Sequence, residues 1–151
     1  MTVLNVNSAF VRDLQAAGYS NLDLDKLVEM RIFEVTPEFI SELDARGYRN
    51  LPASRLVEMR IHGVSTEFID EMSELGYSNL TPEKLVEFRI HGVTPDFVRS
   101  VREEGYTNVR SSELVEMRIF GVDQRFIQKA RASRENPSIR EMINMRIFGK
   151  K

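Results

Sequence analysis

The pair Gly-Tyr recurs at Gly18-Tyr19, Gly47-Tyr48, Gly76-Tyr77 and Gly105-Tyr106, each 29 residues after the last. Two residues beyond each tyrosine stands an asparagine, at Asn21, Asn50, Asn79 and Asn108. The strings LVEMRIF, LVEMRIH, LVEFRIH and LVEMRIF keep the same period, and a worn version, MINMRIF, follows after 28 residues. A fixed period of this length marks a repeat architecture, in which one copy cannot bury its own apolar face and neighbours must share a core. The copies read as 7–35, 36–64, 65–93, 94–122 and 123–149, preceded by a partial copy at 3–6, and together they form a single repeat domain over 1–151.

Each copy reads as two short helices. Thr94-Pro95-Asp96-Phe97 supplies an N-cap hydroxyl, a proline at the first helical position and an acid facing the positive helix end. Thr36-Pro37-Glu38-Phe39 and Ser65-Thr66-Glu67-Phe68 are its equivalents. Phe39, Ile40 and Leu43 then fall on one stripe, and the helix stops at Gly47, where a positive φ allows Tyr48 to fold back on Leu43 in a Schellman arrangement. Leu80-Thr81-Pro82 begins the second helix in the same manner, and Gly92 ends it. Helices of about ten residues are near 15 Å long and marginal alone. The expected fold is therefore all-α, an α-solenoid (superhelix) of five helix-turn-helix repeats with about ten short helices, wound to the right.

Composition narrows the chemistry. With no cysteine there can be no disulfide, thiolate nucleophile or cysteine-bound zinc. A net charge of -2 lends no support to nucleic-acid or anionic-membrane binding. No apolar run approaches the roughly 20 residues that cross a bilayer, and the N-terminus MTVLNVNSAF has no targeting pattern, so the chain reads as soluble with its compartment open. Val3-Leu4-Asn5-Val6 aligns with the end of a second helix, Ile32-Phe33-Glu34-Val35. The array thus opens in mid-copy, which fits an excised or engineered stretch of a longer polypeptide, or an uncapped end that a second chain covers in a homodimer. The last copy loses Gly-Tyr, gains the polar stretch RASRENPSIR as a terminal cap would, and carries +5 over residues 123–151 against -7 over 1–122.

Few side chains could carry reactions. Arg31, Arg60, Arg89, Arg118 and Arg146 repeat at one position, sharing the arc of Leu56, Val57 and Ile61, and are expected as a buried ladder bound to helix C-terminal carbonyls or acids of the adjacent copy. An anion-binding row is the lesser reading. Glu58 and His62, like Glu87 and His91, are spaced i and i+4, but one Glu and one His per site fall short of the three or four ligands of zinc. The expected role is a Glu–His pair at the negative helix end, with no metal and no cofactor. Phe33, Phe120 and Phe148 take the histidine's place in other copies, which marks a surface position varied from copy to copy. No nucleophile and base are paired, and HExxH, GxSxG, Walker and Rossmann patterns are missing, so no catalytic residue is assigned. The tyrosines are expected to cover the helix stop, with an exposed tyrosine row along a peptide groove as the alternative.

The unit HGVTPDFV, GYTNV, ELVEMRIFGV resembles a tandem repeat of bacterial membrane-anchored regulatory metallopeptidases of the beta-lactam-sensor type, across essentially all five copies. The resemblance implies an accessory interaction region outside the protease; the protease motif and membrane spans are not in this sequence, so peptidase activity is not implied. The turn Ile90-His91-Gly92-Val93-Thr94-Pro95 is similar to the helix-hairpin-helix of DNA-binding proteins, whose second glycine is replaced here by Thr36, Ser65, Thr94 or Asp123. Glu38, Glu67 and Asp96 stand where a phosphate would dock, which disfavours nucleic acid through these turns. The leading expectation is a non-enzymatic protein- or peptide-interaction scaffold with Glu58, His62, Glu87, His91 and Phe120 facing an unknown protein or peptide. Nucleic-acid binding through the turns and the basic last repeat, using Lys129, Arg131, Arg134 and Arg140, is the alternative, and an engineered or excised repeat with no function beyond folding is the third.

Overall fold

A computed structural model describes residues 6–149. Among them are ten helices and no strand: α1 (Ser8–Ala16), α2 (Leu24–Ile32), α3 (Pro37–Ala45), α4 (Ala53–Ile61), α5 (Thr66–Glu74), α6 (Pro82–His91), α7 (Pro95–Glu103), α8 (Ser111–Phe120), α9 (Gln124–Ser133) and α10 (Ile139–Phe148). The fold is all-α. The residues fall into two compact units, one ending at Ile69 and one beginning at Asp70, so the division lies inside α5 and not at a copy boundary. Most of the partial copy, Val3 to Asn5, lies outside the described residues.

Helix starts and stops follow from local chemistry. The first helix of each copy opens on a side-chain cap: Asn7, Thr36, Ser65, Thr94 and Asp123 accept from the N–H of the phenylalanine three residues on. Its end is a Schellman closure, with Tyr19 N–H donating to the Leu14 carbonyl at 2.8 Å and Tyr48 N–H to that of Leu43 at 2.9 Å. Second helices close alike, Val64 N–H reaching Met59 at 2.8 Å and Val122 N–H reaching Met117 at 2.7 Å.

In the first unit Phe10, Leu14, Met30, Phe39, Ile40, Leu43, Leu56, Val57 and Met59 form the core, and α2 packs on α4. In the second, Leu85, Val86, Phe88, Val98, Val101, Leu114, Val115, Met117, Ile127 and Met142 are buried, α8 packing on both α6 and α10. The apolar face of α4 is Leu56, Val57 and Met59, whereas Ile61 is half exposed. Angle alone places Ile61 at the edge of that face. As the last residue of a nine-residue helix, it also projects where the chain turns away.

The arginine ladder needs correction in one respect. Among the described residues no charged side chain is buried; Arg31 and Arg60 are half exposed and Arg89, Arg118 and Arg146 exposed. The aliphatic stem runs along the apolar face and the guanidinium emerges at its rim, which avoids desolvating the charge. There it stacks on the first-helix phenylalanine of its own copy: Cζ lies 4.5 Å from the ring centre for Arg60 over Phe39, 4.6 Å for Arg118 over Phe97, 5.0 Å for Arg31 over Phe10 and 5.3 Å for Arg146 over Phe126.

The same guanidinium joins copies. Arg60 Nε donates to the Phe33 carbonyl at 3.3 Å, and Arg146 Nε to that of Phe120 at 3.0 Å, each at the C-terminal end of the preceding copy's second helix. Gly121 has φ +78°, which favours glycine, and a Cβ there would stand 3.0 Å from Arg146 Nη2, so the guanidinium end would have to shift to admit it. Tyrosine hydroxyls make a second link: Tyr19 donates to the Leu51 carbonyl (2.5 Å), Tyr77 to Val109 and Tyr106 to Pro137 (2.6 Å), each in the following copy.

Candidate interaction surface

The second helices end at the surface, and their last residues define what each unit presents. Isoleucine occupies the final Arg-Ile position in every copy, and it is exposed in all: 51% for Ile32 and 50% for Ile61 in the first unit, 54% for Ile90, 50% for Ile119 and 41% for Ile147 in the second. Beside it stands the variable position. Phe33 and Phe120 are about one-third exposed there and Phe148 is 72% exposed. His62 at the same place is exposed and His91 half-buried. Single apolar residues at a surface are ordinary, but one position kept apolar through five copies and flanked by three aromatics is not scatter.

Of the candidate partner-facing residues, His62 lies on the exposed end of its second helix in the first unit and Phe120 on that in the second, and Glu58 and Glu87 each stand one turn before the variable position of their own helix. The expected Glu–His pairing gives way to pairs directed toward the helix N-terminus. Glu58 binds Arg55 at 2.5 Å, Glu87 binds Lys84 at 2.7 Å, and Glu29 binds Lys26 at 2.7 Å in the first copy. These i,i+3 pairs satisfy the carboxylates without the histidine. Among the described residues no group of three or more His, Cys, Asp or Glu side chains is placed to hold a metal ion.

Sequence reasoning missed the isoleucines because it put Ile61 in the buried arc; the available signal was that isoleucine always falls within the last two residues of the second helix. The tyrosines were expected to cover the helix stop, with an exposed row as the alternative. All four are half-buried, the hydroxyls of Tyr19, Tyr77 and Tyr106 are spent on the next copy's backbone, and burial, the largest cause, raises the phenol pKa of Tyr19, Tyr48, Tyr77 and Tyr106 above the ordinary value. A row of free tyrosine hydroxyls along a groove is therefore not what the fold displays at Tyr19, Tyr77 and Tyr106.

Three arginines of the basic last copy are engaged, two with the preceding copy and one within their own. Arg131 donates to the Glu104 carbonyl at 2.7 Å, Arg140 binds Glu116 at 2.6 Å and Arg134 binds Glu141 at 3.4 Å. Glu104 in turn accepts from the Gln124 and Gln128 amides, both at 2.9 Å, and these bonds hold its carboxyl below the usual range. Among the described residues no helix is long and apolar enough to cross a membrane. No family model, curated protein or solved structure matches the chain.

Proposed function

We propose that this protein is a non-enzymatic protein- or peptide-interaction scaffold whose copies continue as one α-solenoid. In each unit the contact face is that unit's isoleucine row with the adjoining variable position, Phe33 and His62 in the first and His91, Phe120 and Phe148 in the second. The observation that carries the reading is the repeated half-exposure of Ile32, Ile61, Ile90, Ile119 and Ile147 beside a position that alternates between phenylalanine and histidine. A constant apolar strip supplies area, and a variable neighbour supplies choice of partner. The solenoid reading is supported within each unit by second helix packing on second helix and by the recurring arginine and tyrosine links. The resemblance to accessory repeats of beta-lactam-sensor metallopeptidases agrees with a role in docking.

A nucleic-acid role finds less support, because Arg131, Arg134 and Arg140 are already paired and the first-turn acids remain, with Asp96 itself bound to Arg99 at 2.9 Å. The test is selection of peptides from a random library on the whole protein, followed by titration of the winners against the Ile90→Ser, Ile119→Ser double variant. Affinity is expected to fall at least about tenfold, roughly 1.4 kcal/mol, with the helical circular dichroism unchanged. Undiminished binding by that variant, or a preference for duplex DNA over every peptide, would contradict the reading.

A further inference from the structure

The strongest unassigned feature is a cleft of about 270 Å³ in the first unit, among the ends of α1 and α3 and the start of α4, lined in part by Ala17, Tyr19, Ser41, Asp44, Tyr48 and Arg49. That volume lies just below the ~300–1,000 Å³ of ordinary small-molecule pockets and suits a single side chain.

Its repeat equivalents show what belongs there. Asp44 is the eighth residue of α3; the eighth residues of α7 and α9 are Arg102 and Arg131. Both arginines reach back to the end of the preceding copy's first helix, Arg102 to the Leu75 carbonyl and Arg131 to that of Glu104. In α1 the position of Leu75 and Glu104 is held by Ala17, which caps the helix. Where the fourth and fifth copies insert a guanidinium of their own against a negative helix end, and the third has Ser73, the second copy places a carboxylate, and the space is open. Asp44 and the α1 carbonyl end both attract a cation, and the ring of Tyr19, whose hydroxyl is fixed on the Leu51 carbonyl, forms part of the wall.

We infer that this cleft binds the guanidinium of an arginine side chain in a partner peptide. The inference rests on the peptide-interaction reading for its biological sense, but the cleft is separate from the isoleucine row and is tested separately. Planar N–H donors match a helix-end carbonyl and a carboxylate together, which an ammonium does less well. One local charge competes. Arg49 Nε lies 3.1 Å from Asp44 Oδ1 and 3.4 Å from its carbonyl, with both side chains more than half exposed. The equivalents of Arg49 are Ser20, Ser78 and Thr107, so this copy alone among them carries a cation that shields its own acid.

The experiment is an amide NMR titration of the whole protein with N-acetyl-arginine amide, N-acetyl-lysine amide and the uncharged N-acetyl-citrulline amide. The arginine probe is expected to shift Ala17, Asp44 and Tyr48 saturably, with a dissociation constant on the order of 1 mM, ahead of lysine, and citrulline is expected to leave them unmoved. Asp44→Arg, which copies the arrangement of α7 and α9, should abolish the shifts with the helical content intact. Arg49→Ser should tighten the arginine probe about two- to fivefold. Equal responses to citrulline, persistence of binding in Asp44→Arg, or weakened binding in Arg49→Ser would each overturn the assignment. None of these outcomes bears on peptide capture by the isoleucine row, which is read by the Ile90→Ser, Ile119→Ser variant.

Discussion

At the scale of single residues, the fold is set by positions that only certain side chains tolerate. After each second helix the backbone takes a left-handed turn, filled by Gly63, Gly92, Gly121 and Gly149, but in the first copy by Glu34 at φ +60°. A non-glycine there costs about 1–2 kcal/mol, and the Glu34–Arg60 pair at 3.5 Å, with Glu34 78% exposed, offsets little of it. Glu34→Gly is therefore expected to stabilise the first unit, by up to about 1 kcal/mol after the entropy glycine adds to the unfolded chain, seen as a higher urea midpoint. A lower midpoint would mean the ion pair matters more than the backbone. The phenols supply a pH signature. Because burial raises their pKa in the native state, the fold favours the neutral form; that stability is fully present below the unfolded value of about 10 and is lost as pH climbs through the raised native values. Tyrosinate absorbance should appear later in the native protein than in urea and coincide with loss of helix, and Tyr77→Phe should cost about 0.5–1.5 kcal/mol at neutral pH.

The asparagines teach what the sequence can and cannot convey at this scale. Asn21, Asn50, Asn79, Asn108 and Asn136 all take positive φ, between 49° and 63°. Asparagine is among the few residues that tolerate this region, so its role is backbone geometry ahead of the second helix. Spacing made the position visible, and Asn136 keeps it even where Gly-Tyr is lost. Whether such an asparagine caps, bridges or turns left-handed depends on a dihedral angle that no pattern of neighbours encodes.

Among elements, the legible parts were those with local chemistry. The caps at Thr36 and Thr94, the stops at Gly47 and Gly92 and the stripe of Phe39, Ile40 and Leu43 follow from interactions within one or two turns. The rim of the second helix was not legible, because whether Arg60 and Ile61 lie in or out depends on where the helix ends against its neighbours. Caps also vary in quality. Thr81 accepts from Lys84 N–H at 3.0 Å at the start of α6, whereas Arg110 before α8 makes no side-chain cap bond. Arg110→Thr is expected to raise stability by roughly 1 kcal/mol, measured as a shift of the thermal midpoint; no shift would mean that the Arg110 N–H bond to Glu113, at 3.4 Å, already serves α8 well enough.

At the scale of the whole molecule, period alone could not foresee that the described residues part into two compact units within α5, since the third copy's sequence carries no break there. What period did foresee is mutual dependence. Helices of nine or ten residues are marginal alone, and in the second unit α8 is held between α6 and α10 by Val115, Met117 and their buried neighbours. The most direct test is amide hydrogen exchange of Val115→Ala beside the parent, a truncation in α8 that should cost roughly 1–2 kcal/mol. If copies hold one another up, exchange should accelerate in α6 and α10 as well as in α8, by comparable factors. Acceleration confined to α8, with α6 and α10 as protected as before, would contradict a shared core.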